Sequence, residues 1–568
     1  MSMIGGARSS LGAPSSKAVR FQLDFNLKAN LLKHANREDC QYNELVQKIK
    51  DHGQDIRDDD LAQLLKEARG CISLLDDNFR LFVQVVLILE WTHRSPDVIS
   101  EYQGFLLDLC AAHNYYTKHV IDQFIASFRR GGPGEWKDGL PSEEGVNCFS
   151  HIHDTIRQLL KVVPMSKDIL ISAIKSSVPF YKRPPKDHES FVYNALQISK
   201  YLPSERYGLL KVIISHLTTL DVNSPRSSLE QRETPCSMDV DSVFPMDDII
   251  HPVAFNLDVA LNVLFIYCKD EVIVADKVNM DKLKSLYHDL VKVFEDVVLP
   301  THATQHVQFL IFYLLGLKPS LAPHFIGHLW NKATDPNIPP IIRQSAVCYV
   351  ASLIARANYI SITTTKATIT EISTWIHRYI NSQDEGSANT PYVDTRVHGV
   401  FYMTCQALFY IIGFRYKELV NNQGLTMLNS INLQKIVTCR LNPLRVCSPV
   451  VASNFASIAR AYQLAYCYTI MERNQRNNLP IVNREAGSSV STLMSIQLDS
   501  FFPFDPYLLV RTKKYVETYY REYTEPNNDE HGKKTSNEDE DDFLEDVTGT
   551  SAPTNFSYSS SPGFLHIQ

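Results

Sequence analysis

The stretch IHDTIRQLLKVVPMSKDILISAIKSSVP (152–179), followed by HESFVYNALQISKYLPSERYGLLKVIISHLTTL (188–220), decides the fold. Ile152–Val163 reads as one helix stopped by Pro164, and Ser166 stands where it caps a second, running to Val178 before Pro179. The next stretch repeats the arrangement: His188–Tyr201 is stopped by Pro203, and Ser204 caps a helix running to Leu220. Proline ends the first helix of each pair by removing an N–H and clashing with the preceding turn, while serine receives the orphan amides of the next. Ser166 and Ser204 are 38 residues apart, near the roughly 40-residue period of HEAT and armadillo repeats. A helix pair of this size cannot bury its apolar stripe alone, so neighbours stack into a superhelix.

Working outward, the same periodicity recurs. Val98, Ile99, Tyr102, Phe105, Leu106, Leu109 and Cys110 trace one face of an α-helix. Ile342, Ala346, Tyr349, Val350, Leu353 and Ile354 do so again, with Pro339 and Pro340 where a helix begins. Short strands with regularly spaced turn signals are hard to find. The expectation is an all-α, HEAT/armadillo-like helical-repeat superhelix. Residues 1–18 are small and polar and read as disordered; 19–222 form N-terminal repeats and 248–522 C-terminal ones. Residues 129–147 form a loop rich in glycine and charge, and 223–247 an acidic loop containing serine and proline. Residues 523–568 form an acidic tail with too little apolar surface to offset its ordering entropy.

Charge and cysteine usage exclude several classes. The 568 residues carry 56 Lys+Arg and 63 Asp+Glu; the tail's ten acids and two lysines set aside, 53 acids and 54 bases remain. That balance lacks the one-sided basic field of a nucleic-acid binder, which needs roughly 6–10 phosphate contacts. The eleven cysteines are odd in number and include no C-x-x-C pair, so neither a disulfide framework nor a zinc finger is indicated. No secretory signal opens the chain, and the most hydrophobic stretch, Leu81–Trp91, is broken by Gln84 and Glu90 and falls short of the roughly 20 residues of a membrane span. A soluble intracellular protein is expected.

No catalytic, metal or cofactor site is nominated. His302 and His306 have H-x-x-x-H spacing, yet Ala303 stands where a zincin has its glutamate base, so they read as helix-face histidines. His151, His153 and Asp154 suit ligands less well than Asp154 suits a helix N-terminus. Gly131, Gly132 and Gly134 are not followed by a phosphate-loop lysine, and no G-x-S-x-G elbow occurs. Trp91, Trp330 and Trp375 lie in apolar helical stretches and read as core.

Phosphorylation offers better candidates. Ser536 precedes an acidic run, Glu538–Asp542, of the kind an acidophilic kinase reads; Ser224 and Thr234 are proline-directed sites. Ser172 and Ser176 share the side of their helix opposite Leu170, Ile171, Ile174 and Val178, so phosphate there charges an outer surface without disturbing the core.

Five long stretches together resemble the RNA polymerase I-specific transcription initiation factor family of TIF-IA type. They are FYKRPPKDHESFVYNALQISKYLP (180–203), LDVNSPR (220–226), HLWNKATDPNIPPIIRQSAVCYVASLIARA (328–357), CRLNPLRVCSPVVASNFA (439–456) and FFPFDPYLL (501–509). The resemblance implies a non-enzymatic HEAT-repeat factor, without cofactor, that binds RNA polymerase I at its stalk subunits. It also implies bridging to promoter-bound core or selectivity factor at ribosomal RNA genes, control by phosphorylation, a homodimer when free, and a nuclear and nucleolar setting. The family's Ala-Arg-Ala stretch, implicated in the promoter-factor contact, matches Ala355, Arg356 and Ala357, with Ile354 and Asn358 replacing the usual flanking leucine and lysine. Arg343 and Arg356 are the cations to test first, although their helix has a core face through which substitutions also act structurally. Phe501, Phe502 and Phe504 with Pro503 and Pro506 suggest an apolar clamp capping the last repeat; a partner-binding element is the other reading. Fold alone does not give function, so a helical-repeat scaffold or transport adaptor is the alternative, distinguished by which proteins copurify.

Overall fold

The computed structural model describes residues 27–36, 40–129, 134–224, 251–386, 394–421, 424–477, 498 and 502–523. They belong to two compact units that divide between Ile213 and Ile214. The division falls inside a helix rather than in the 223–247 loop, most of which lies outside the described residues.

The first unit contains α1 (Leu27–Ala35), α2 (Cys40–His52), α3 (Asp58–Gly70), α4 (Arg80–Leu87), α5 (Pro96–Ala112), α6 (Thr117–Arg129), α7 (Glu143–Val162), α8 (Ser166–Ser176) and α9 (Pro185–Tyr201); α10 (Arg206–Val222) crosses the division. Here α2 packs on α4, α3 on α5, α5 on α7, α6 on α8 and α7 on α9. Contact between helices two places apart, recurring through the unit, is what stacked helix pairs produce, and α6 also packs on α9. In α5 the periodic positions Val98, Tyr102, Phe105, Leu106, Leu109 and Cys110 are all buried. Each such side chain contributes roughly 1.5–3 kcal/mol by leaving water.

Two local expectations are corrected. First, α7 starts at Glu143, inside the stretch read as loop, because Ser142 caps it by accepting from the Gly145 amide at 3.1 Å, with Glu143 and Glu144 favouring the N-terminus. Asp154 is therefore mid-helix, paired with Arg157 at 3.0 Å. Second, Ser166 is no cap: it is the first residue of α8, and its hydroxyl donates to the Val163 carbonyl at 2.5 Å.

The second unit continues with α11 (Pro252–Val272), a tight antiparallel hairpin of β1 (Ile273–Val274) and β2 (Lys277–Val278), and α12 (Met280–Val293), which runs into a π turn. Ala275 and Asp276, at φ 50° and 58°, make the hairpin turn. There follow α13 (Phe309–Leu317), α14 (Ala322–Thr334), α15 (Pro340–Arg356), α16 (Ile362–Gly386), α17 (Thr395–Val420), α18 (Gly424–Ser430), α19 (Leu433–Thr438), α20 (Pro443–Val446), α21 (Pro449–Ala461), α22 (Tyr468–Asn477) and α23 (Lys513–Val516). Helix α15 packs on α14 and α17, and α17 also on α16 and α21.

Helices α11 and α17, with 21 and 26 residues, are long and apolar enough to cross a membrane by length and composition, so Leu81–Trp91 is not the chain's most membrane-like stretch. Both lie largely buried among neighbours in this unit. A helix apolar all round is also what a core position demands.

The segment 502–523 crosses the faces of α11, α13, α15 and α17. Phe504 packs on Phe309, Phe312 and Tyr349, Phe502 stacks on Tyr410 at 3.8 Å, and Tyr515 stacks on Phe265 at 4.8 Å. Asp258 of α11 anchors it by accepting from the Arg511 amide at 2.8 Å, the Thr512 amide at 3.1 Å and the Thr512 hydroxyl at 2.6 Å. The FFPFDPYLL aromatics Phe502 and Phe504 therefore pack against α13, α15 and α17; Phe501 is outside the described residues.

Candidate docking surface

Helix α8 sets out one face for the core and one for solvent. Leu170 and Ile174 are buried, whereas Ser172, Lys175 and Ser176 are exposed. Exposed apolar side chains flank the helix at both ends: Val162 and Met165 before it, and Phe180 after it, with Met165 at 68% and Phe180 at 62% exposure. The Phe180 ring rests 4.4 Å from that of Tyr181, which also carries the Lys182 ammonium 5.5 Å from its centroid. Between Thr155 and Lys186 the sequence holds seven Lys and Arg against a single acid, Asp168. Methionine and aromatic residues are enriched at protein interfaces and charged groups at their polar rims, which makes this face the candidate for docking. A phosphate on Ser172 or Ser176 would place roughly −1.5 to −2 charges in its middle.

The Ala-Arg-Ala stretch is in a different environment. Ala355 and Ala357 have no exposure and Arg356 only 3%, so in this conformation all three face the interior. The Arg356 guanidinium donates to Asp505 Oδ1 from Nε at 3.1 Å and from Nη2 at 2.7 Å. It also lies 4.7 Å from the Phe414 ring centroid and 5.2 Å from that of Tyr520. The backbone joins in, since the Arg521 amide donates to the Arg356 carbonyl at 2.7 Å and the Asn358 amide to Tyr519 at 3.0 Å. Arg343 is half-buried and donates from Nε to the Ala333 carbonyl at 2.8 Å.

Ser224, just after the end of α10, is 2% exposed. Thr234 and Ser536 lie outside the described residues. The histidines also sort by environment. His302 is exposed and His306 fully buried on a stretch that is not helical, so the expected shared helix face is absent. His306 Nδ1 lies 2.9 Å from Asp221 Oδ1, while Asp221 Oδ2 accepts from the amides of Gln305, His306 and Val307. His153 is held between Tyr201 and Asn194, each at 3.0 Å, and burial depresses its pKa from 6.5 to about 4. Asn194 uses its amide to donate to Ser190, so its carbonyl accepts from His153 Nε2–H and the imidazole is neutral.

A groove near α5 and α7 brings Cys148 Sγ to 3.0 Å from His93 Nδ1, with Glu144 and His151 also lining it. Burial pushes the Cys148 thiol up, away from the thiolate a nucleophile requires. Among the described residues no cluster of three or more His, Cys, Asp or Glu has metal-binding geometry. The anchors Asp221, Asp258 and Asp505 had no signal in sequence, because a lone acid in an apolar stretch does not announce a partner far along the chain.

Comparison with known proteins supplies what geometry does not. The sequence model of a family described as RNA polymerase I specific transcription initiation factor RRN3 matches residues 23–249 and 241–528. The chain is similar to a mouse protein named RNA polymerase I-specific transcription initiation factor RRN3, 34% identical over 93% of this chain and 86% of the relative. It is also similar to a fission yeast protein of the same description, 26% identical over 82% and 80% of the two chains. A crystal structure of RNA polymerase I transcription initiation factor Rrn3 superposes with a TM-score of 0.69 at 22% identity, covering 87% of this chain and 97% of that one.

Proposed function

The chain belongs to the RNA polymerase I specific transcription initiation factor RRN3 family, and from that premise we propose that it makes RNA polymerase I competent to initiate at ribosomal RNA genes. In this reading it binds the polymerase stalk, bridges the enzyme to promoter-bound factors, and works in the nucleus and nucleolus. The family is one of initiation factors, a regulatory class rather than a catalytic one. The observation that carries the reading is the family match over nearly the whole chain, both compact units included.

The α8 face is the polymerase-facing surface in this proposal. Its exposed Met165 and Phe180 provide apolar contact, its lysines favour an acidic partner, and Ser172 and Ser176 control it through added negative charge. Ala355, Arg356 and Ala357 contribute to the promoter-factor contact indirectly, by holding the 502–523 segment in place. The test is transcription from a ribosomal RNA promoter in a depleted extract. Restoration by the purified chain, with polymerase I stalk subunits copurifying, supports the proposal. Unchanged transcription after depletion, or capture of transport or phosphatase subunits in place of polymerase I, refutes it.

A further inference from the structure

The near-neutral charge of the body conceals a local imbalance. From Gly424 to Asn477 the chain carries Lys435, Arg440, Arg445, Arg460, Arg473 and Arg476 against one acid, Glu472. Arg460 lies in the last turn of α21, and Arg473 and Arg476 lie on α22. Arg440, Arg460, Arg473 and Arg476 are exposed. The turn itself alternates: Ala465 and Cys467 point inward, which forces Tyr466 and Tyr468 outward at 79% and 40% exposure. Gln463, at φ 54°, makes the reversal, and the Tyr466 amide is fixed by Gln434 Oε1 at 2.8 Å. The Arg460 guanidinium lies 5.6 Å from the Tyr468 ring centroid, and Glu472 reaches Arg476 at 3.8 Å. A tyrosine almost four-fifths exposed, two residues from one that carries an arginine over its ring, is an unusual surface. It offers charge-assisted hydrogen bonds and aromatic contact to an anionic chain.

An anionic chain starts nearby. The described residues end at Tyr523, whose ring is 5.2 Å from Phe414, just after Arg521, which pairs with Glu418 at 3.1 Å. That is the C-terminal end of α17. Helices α17 and α21 run in the same sense, since Gln406 accepts from the Ser448 amide at 2.7 Å and Phe409 stacks on Phe455 at 4.2 Å. The C-terminal end of α21, carrying Arg460, therefore points the way α17 does, toward the start of the tail. Residues 524–568 hold ten acids and two lysines, and the densest run, Glu538–Asp546, begins 15 residues past Tyr523. Fifteen residues reach up to roughly 50 Å.

We propose that the arginine–tyrosine face of α21 and α22 docks the chain's own acidic tail, 524–568, and is thereby shielded from other polyanions. Tethering makes weak contacts sufficient, because a short linker gives an effective concentration of about 1 mM. A tail segment with an intrinsic Kd of roughly 100 μM then occupies the face about ten times in eleven. Phosphate on Ser536 would add to the same attraction.

The test uses the full chain and a fluorescein-labelled 20-mer of deoxythymidine as a polyanion probe at low salt. The tail is neutralised by Glu538→Gln, Asp539→Asn, Glu540→Gln, Asp541→Asn and Asp542→Asn; the face by Arg460→Gln, Arg473→Gln and Arg476→Gln. Tail neutralisation is expected to tighten probe binding about tenfold, and addition of the face substitutions to abolish that gain. A synthetic 524–568 peptide is expected to bind the tail-neutralised chain and not the chain carrying both sets. Unchanged probe affinity on tail neutralisation overturns the proposal, as does a gain that survives loss of the arginines. Tight probe binding by the unaltered chain that only the face substitutions remove marks an open single-stranded nucleic-acid site and also overturns it. The three arginines are exposed, so unchanged unfolding midpoints check that the variants are folded.

Discussion

Replacing Arg356 with methionine separates a structural role from a contact role for the Ala-Arg-Ala stretch. The guanidinium and the Asp505 carboxylate are 4% and 1% exposed, so the substitution deprives a buried carboxylate of its guanidinium partner, while the Tyr410 hydroxyl still donates to it at 3.3 Å. Breaking a buried pair in this way costs about 3–5 kcal/mol. Asp505→Asn keeps an acceptor for the guanidinium and costs less, about 1.5–3 kcal/mol. The double variant Arg356→Met with Asp505→Leu leaves neither charge unpaired, so it should be more stable than Arg356→Met alone. That inequality is the signature of the pair, since two unrelated lesions would add.

The second unit reports its own unfolding. Trp330 and Trp375 lie in it, 6.4 Å apart, while Trp91 and Trp136 lie in the first unit and are replaced by phenylalanine in the assay background. At roughly 2 °C per kcal/mol for a unit of this size, Arg356→Met should lower the tryptophan-monitored Tm by roughly 6–10 °C. Promoter-factor binding, measured below the transition, should fall with loss of the 502–523 segment and return in the double variant. An unchanged Tm combined with lost promoter-factor binding in both variants would refute the reasoning, because the guanidinium would then be touching the partner directly.

Four further outcomes are expected. Ser172→Asp with Ser176→Asp should weaken polymerase I binding severalfold more than Ser536→Asp does, read by pull-down with purified polymerase; equal losses would remove α8 from the interface. Burial depresses the pKa of His153 and His188 from 6.5 to about 4. The unfolded chain therefore takes up protons first as pH falls, and first-unit stability, complete above pH 6.5, should drop by about 2 kcal/mol per histidine at pH 5 and be lost through pH 4, a slope that urea titrations at pH 7 and 5 would show and His153→Gln would reduce. Asp258→Ala removes the acceptor for two amides and a hydroxyl of the 502–523 segment and should cost about 2–4 kcal/mol, visible as faster proteolysis after Arg511. Gly316→Ala would bring its Cβ to 2.7 Å from the Tyr519 ring and should lower the second unit's Tm without altering the first.

The helices were legible because their information is local. In α5 and α15 the apolar spacing, and the prolines opening each helix, lie within twenty residues of one another. Ser166 shows where local reading stops: serine after proline and methionine suits a cap, yet burial against Val163 turned its hydroxyl from acceptor to donor. The Ala-Arg-Ala stretch was legible only by resemblance, and its surroundings were not legible at all. Arg356 meets Asp505 across 149 residues of sequence and Asp258 meets Thr512 across 254. No periodicity encodes such pairings. The exposed serines of α8 fell between these cases, since helical spacing places them opposite Leu170 and Ile174, while the exposure of Met165 and Phe180 at the helix ends emerges only from the structure.

The two charged faces give phosphate opposite consequences from the same chemistry. On α8 the exposed Ser172 and Ser176 stand beside Lys175, so negative charge added there would neutralise the attraction an acidic partner would use and repel it at close range. Ser536 stands on the tail, and charge added there strengthens docking on the arginine face of the same molecule without touching α8. Charge mimicry should therefore be read by location. A negative substitution within a cationic docking face lowers partner affinity in proportion to its proximity to the contact, and its effect shrinks with salt as the Debye length falls to about 3 Å at 1 M. A negative substitution on the tail should leave partner affinity unchanged and lower accessibility of the α21–α22 face to a polyanion, with the same salt dependence. If both substitutions moved polymerase binding alike, net charge rather than placement would be the operative variable, and neither face would carry the role assigned to it.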